Sequence, residues 1–146
     1  MVRPLLLQQS NDPAQLTAVR AICEREAEAG DPVAIYQLSF FHLGLGGFDA
    51  GAAEVLMRRA AGLDVAEAQY WLAWQRETGP LLENDRAEAL QWYQRAAENE
   101  HPLALYRLAE AYENGGLGLP ADSDRAMSLR TRARRCASEF DARGNP

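Results

Sequence analysis

The sequence predicts an all-α solenoid of stacked helix pairs, and two recurring phrases carry that prediction. The first phrase reads Ala34-Ile35-Tyr36-Gln37-Leu38, then Ala68-Gln69-Tyr70-Trp71-Leu72, then Ala104-Leu105-Tyr106-Arg107-Leu108, at intervals of 34 and 36 residues. The second opens at Ala53, Ala89 and Ala126, at intervals of 36 and 37. Two independent landmarks that advance together exclude chance similarity. A period in this range, with two helical phrases per period, marks units that bury a continuous core by stacking on one another. Chains of this kind bind other molecules along an extended surface, so catalysis is the weaker expectation from the outset.

The elements follow in order. Asn11 or Asp12 supplies a capping side chain, and the ring of Pro13 fits the first turn of a helix. From Pro13 to Ala29 the apolar residues Leu16, Val19, Ile22, Cys23 and Ala27 keep near-helical spacing. Gly30 closes that helix because glycine accepts the left-handed conformation. Asp31-Pro32 opens the next helix in the same manner, and His101-Pro102 holds the corresponding place before Ala104. In the second helix of each pair, position +3 holds Leu56, Trp92 and Leu129, and position +7 holds Ala60, Ala96 and Ala133. The small residues let neighbouring helices approach while the large ones fill the space between. Asp49, Asp85 and Asp122 stand four residues before each start, where a carboxylate meets free amides and the positive end of the helix dipole.

The connectors within pairs read Leu43-Gly44-Leu45-Gly46-Gly47, Glu77-Thr78-Gly79-Pro80 and Asn114-Gly115-Gly116-Leu117-Gly118. No Gly-Lys-Ser/Thr follows and no strand precedes them, so they read as turns and not as phosphate cradles. Counted from Val19, the first helix has Ile22 at +3, Cys23 at +4 and Ala27 at +8, matching Trp92, Tyr93 and Ala97. It is therefore expected to be the second helix of a half-repeat. The expected organisation is a single domain over 1–146, with a cap helix at about 13–29 and repeats at about 30–61, 62–97 and 98–135.

Composition narrows the function. The 146 residues are 47% apolar and 25% charged, ordinary values for a globular chain, and the net charge of −6 repels nucleic-acid backbones and anionic membranes on average. All 15 basic residues are arginine, which removes lysine-based nucleophilic chemistry. Cys23 and Cys136 lie near opposite ends, too far apart in an elongated repeat array for a bridge that needs Cα atoms within about 7 Å. Free thiols in a reducing compartment follow. Leu5-Leu6-Leu7 is too short for a signal peptide and no later run is long enough to span a membrane, so a cytoplasmic protein is expected.

The run Ala104, Leu108-Ala109, Tyr112, Gly115, Gly118, Asp122, Ala126, Leu129 and Ala133-Arg134 resembles the Sel-one-like repeat, a variant of the tetratricopeptide repeat. So does Ala68, Leu72-Ala73, Gly79, Asp85, Ala89, Trp92-Tyr93 and Ala96-Ala97, with Asp85 to Ala97 the closest stretch. The resemblance covers roughly residues 27 to 134. It departs at Ser39, Ala73 and Ala109, where a glycine is usual, and at His42 and Arg76, where a tyrosine is usual. What it implies is a right-handed α/α superhelix of about seven helices that acts as an adaptor and performs no reaction. Some members have been labelled β-lactamases, but this chain has no Ser-x-x-Lys and no lysine at all.

In related repeats the first helix of each pair lines the concave face. Positions +2, +6 and +9 share one side of that helix: Tyr36, Phe40 and Leu43; Tyr70, Trp74 and Glu77; Tyr106, Glu110 and Glu113. Aromatic side chains offer large rigid contact area, and the carboxylates beside them would select a basic or amide-rich protein or peptide. The competing reading places the tyrosines between repeats as packing residues. Of the two histidines, His42 reads as packed and His101 as part of a turn. Glu24, Glu26 and Glu28 read as a solvated face. No catalytic constellation, metal site or cofactor site is expected. From Arg125 to Arg143 six arginines oppose Glu139 and Asp141, an excess of +4. Arg130, Arg132, Arg134 and Arg135 read as a polar end cap, or else as a docking patch for an acidic partner or RNA. The leading expectation is a non-enzymatic adaptor that holds a protein in its groove, without nucleic acid or membrane. The alternatives are an immunity-type inhibitor that covers an enzyme and, more weakly, an enzyme.

Overall fold

The computed structural model describes residues 12–44 and 47–142; Leu5-Leu6-Leu7, Asn11, Leu45, Gly46 and Arg143 lie outside them. Seven helices occupy the described residues: α1 Pro13–Glu28, α2 Pro32–Phe41, α3 Ala50–Gly62, α4 Ala66–Glu77, α5 Arg86–Glu98, α6 Pro102–Asn114 and α7 Ser123–Ala142. The one β pairing among them is an isolated antiparallel bridge between Leu43 and Phe48. The fold is all-α. Helix α7 continues beyond residue 135, since no Gly or Pro interrupts the sequence before Gly144.

Capping follows the sequence closely. Carboxylates of Asp12, Asp31, Asp49, Asp85 and Asp122 accept from the amides of Ala14, Ala34, Ala52, Glu88 and Arg125 at 2.7–3.1 Å. His101 performs the same task with its imidazole, Nδ1 accepting from the Ala104 amide at 3.4 Å. Each bond satisfies an amide that the helix itself leaves open. Asp85→Ala should therefore cost about 1 kcal/mol in a urea titration, and Asp85→Asn should recover most of it.

Two further devices recur. Helices α1, α3 and α5 end alike, with Asp31 N bonded to Glu26 O, Val65 N to Ala60 O and His101 N to Ala96 O at 3.0–3.1 Å. The residue before each donor is left-handed: Gly30 at φ 92°, Asp64 at 65° and Glu100 at 58°. The second device closes the loop within each pair. Asp49 N bonds His42 O, Asp85 N bonds Arg76 O and Asp122 N bonds Tyr112 O, at 2.7, 2.7 and 2.8 Å. Because this closure is main-chain to main-chain, His42, Arg76 and Tyr112 serve equally well at one place.

The chain divides into two compact units between Ala68 and Gln69, within α4. In the first, α1 packs on α2 and α2 on α3, burying Cys23, Ala27, Ile35, Phe41, Met57 and Ala61. Cys23 and Ala27 thus take the buried places expected of a second-helix phrase. Ile22 does not: it is 47% exposed, so the correspondence of α1 with later helices holds at +4 and +8 and fails at +3. In the second unit Tyr93, Leu105, Leu108, Ala96, Ala111 and Ala133 form one core. Large side chains there alternate with alanines, which is what lets α5, α6 and α7 approach closely. Neither cysteine is in a disulfide.

Candidate functional site

In the second unit, the α4 stripe of Tyr70, Trp74 and Glu77 contains three different environments. Trp74 is 43% exposed. One turn back, Tyr70 is half-buried, its ring stacked on His101 at 4.7 Å and 11° and tilted against Tyr93 at 5.9 Å. One turn on, the Glu77 side chain is only 11% exposed. Its carboxylate accepts from Tyr93 Oη at 2.7 Å and from Arg107 Nε at 2.9 and 3.1 Å, with Arg107 Nη2 also in contact. One carboxylate thus ties α4 to α5 and α6.

The electrostatics follow from that tie. Burial pushes the Glu77 carboxyl upward, but hydrogen bonds from Arg107 and Tyr93 outweigh it and hold the group below the usual carboxylate range. Tyr93 is driven the other way, by burial and then by its bond to the Glu77 carboxylate. Tyr70 also rises, first through burial and then through the neighbouring Glu77 charge. A carboxyl whose folded pKa is depressed stabilises the fold above its unfolded pKa, about 4.3 for Glu, and that contribution is lost as pH falls through the folded value. The melting-temperature gap between wild type and Glu77→Gln should accordingly be widest near neutral pH and close below about pH 4. A gap that persists unchanged into acid would contradict the assignment.

On α6, Glu113 receives a two-pronged bond from Arg130 of α7, both contacts at 2.7 Å. Glu110 is 55% exposed and lies 3.7 Å from Arg107 Nη1. Tyr106 is half-buried against the core. Three carboxylates on this face therefore meet two guanidinium groups, and the acidic groove expected from the sequence is nearly balanced in charge. Sequence reasoning missed Arg107. Its position one residue after Tyr106 was visible, but only the fold brings it to Glu77.

The arginines of α7 point to different places. Arg130 turns to Glu113 on α6, whereas Arg132 donates to Ala97 O at 3.1 Å and Glu100 Oε1 at 2.8 Å. Cys136 donates to the other oxygen of Glu100 at 3.1 Å. Arg134 and Arg135 are exposed. In the first unit, Tyr36 and Phe40 pack edge to face, centroids 5.0 Å apart at 85°, both half-buried, as is Leu43. Among the described residues no group of three His, Cys, Asp or Glu is placed to hold a metal ion. No helix among them is long and apolar enough to cross a membrane.

Helix pairs closed by the same loop bond and capped at the same position define an α-helical repeat protein. Residues 66–101 and 102–135 match the family model of the Sel1 repeat, so this stretch of the chain holds two consecutive Sel1 repeats. Among solved structures it is similar to a Sel1 repeat protein from Oxalobacter formigenes, with TM-score 0.70 and 21% identity over 79% of this chain and 88% of that one. It is also similar to a protective antigen of uropathogenic Escherichia coli displaying an SLR fold, with TM-score 0.67 and 26% identity over 86% of this chain. The chain spans 26% of that antigen's length. No curated protein sequence matches it.

Proposed function

We propose that this chain is a non-enzymatic adaptor, and that the face of α4 and α6 around Trp74 holds a protein or peptide partner. The Sel1 repeat fold generally mediates protein–protein interaction. The observation that supports this site is the exposed Trp74 within a fixed surround: Tyr70 is stacked on one side and Glu77 is locked in its ion pair on the other. A large aromatic held in a rigid frame loses little entropy on binding and is the kind of side chain on which binding energy concentrates. The partner would place an apolar group on Trp74 and a basic or amide group on Glu110, the most exposed carboxylate of the face. Two thiols outside any disulfide accord with a cytoplasmic location.

A photo-crosslinking residue at position 74, with one at the exposed Val55 as control, tests the site in cells. A discrete protein adduct from position 74 and none from 55 is expected. Equal adducts from both, or adducts from 55 alone, would reject it.

A further inference from the structure

On the other side of α6 the second unit carries a groove of about 380 Å³, walled by α5 and α7. Its floor includes Leu108 and Tyr112, each two residues on from Tyr106 and Glu110 and so about 200° around the helix. The groove therefore opens away from the Tyr106–Glu110 face. Leu108 is buried, and Leu129 of α7 and the Tyr112 ring continue an apolar surface beside it. The walls are polar. Gln94 and Glu98 stand one turn apart on α5, both exposed, and Arg132 faces them from α7.

We propose that this groove docks an arginine side chain of a protein partner, as a second interaction surface independent of Trp74. Arg132 is already matched, by Glu100 and by the Ala97 carbonyl. Glu98 has no ion-pair partner among the described residues, so its carboxylate is the unmatched charge of the groove. It is also the last residue of α5, where the negative end of the helix dipole adds to its field. A net charge of −6 steers basic partners in the same sense. Arg125 already lies over the Tyr112 ring at 5.6 Å and is paired with Asp122, so the methylene stem of an incoming arginine suits the Leu108–Leu129 part of the floor. Its forked head suits the Glu98 carboxylate, with the Gln94 side-chain oxygen as a further acceptor. An acidic side chain would meet the Glu98 charge instead. Two docking surfaces on one unit are what bridging two partners requires.

The test is a ¹⁵N NMR titration with the peptide acetyl-Ala-Leu-Arg-Leu-Ala-amide and its norleucine analogue. The arginine peptide is expected to shift the amides of residues 94–98 and 129–132. Glu98→Gln should weaken that binding about five-fold, the worth of one partly exposed ion pair. Trp74→Ala should leave it unchanged, so the two surfaces fail or stand separately. Equal binding of the norleucine peptide would overturn the assignment of a basic occupant. No shift in these segments at about 10 mM peptide, the weakest binding worth detecting, would overturn the site.

Discussion

Tyr93→Ala is expected to lower the unfolding free energy by about 3–5 kcal/mol. The side chain is 1% exposed and is among the largest fully buried ones of the described residues. Its ring lies against Tyr70, and its hydroxyl donates to Glu77. Truncation opens a cavity in the core shared by α5 and α6 and removes one of the donors that holds the Glu77 carboxylate. Tyr93→Phe separates the two effects. It keeps the packing and loses only the bond to a charged acceptor, worth about 1.5–3 kcal/mol. Urea titrations of both variants measure this directly. A phenylalanine variant as unstable as the alanine one would mean that ring packing contributes nothing, contrary to the burial.

Gly79→Ala is expected to cost about 1–3 kcal/mol, well above the usual effect of a turn substitution. The backbone at Gly79 is not left-handed, so the reason is space. An added Cβ would lie 2.5 Å from Gln75 Cα, which belongs to the regular part of α4 and has nowhere to retreat. It would also displace the Gln75 side chain, 2% exposed, whose Oε1 accepts from the Leu81 amide at 3.1 Å. Gly62→Ala is the matched control, since nothing lies within 4 Å of its Cβ position and the residue is helical. That change should be neutral or stabilising by up to about 1 kcal/mol. Equal melting shifts for the two variants would contradict the steric account.

The helices were legible because capping and periodicity are local. Asp49, Asp85 and Asp122 stand at fixed places before each second helix, and the bonds expected of them form. The left-handed Gly30 was legible for the same reason, whereas Asp64 and Glu100 were not. A side chain there carries a conformational cost of roughly 1–2 kcal/mol, so composition does not advertise the position. The candidate site was legible as a stripe but not as a charge distribution. The spacing of Tyr70, Trp74 and Glu77 puts them on one side of a helix, yet what each does depends on α5, α6 and α7. Tyr70 found His101 and Tyr93, Glu77 found Arg107, and Glu113 found Arg130. All of these pairs are at least 16 residues apart in sequence, beyond the reach of any local pattern. Trp74 keeps its exposure because no side chain from those helices covers it fully.

Substitution of Trp74 therefore decides whether this face holds a partner. With the crosslinked partner purified, the melting temperature and partner affinity of Trp74→Ala should be measured side by side with wild type. An unchanged melt and binding weakened by roughly 2 kcal/mol, about thirty-fold, is the expected pair of results. Unchanged affinity would contradict the account and move the interface away from α4. A melting temperature that falls along with the affinity would equally contradict it, because Trp74 would then be a packing residue.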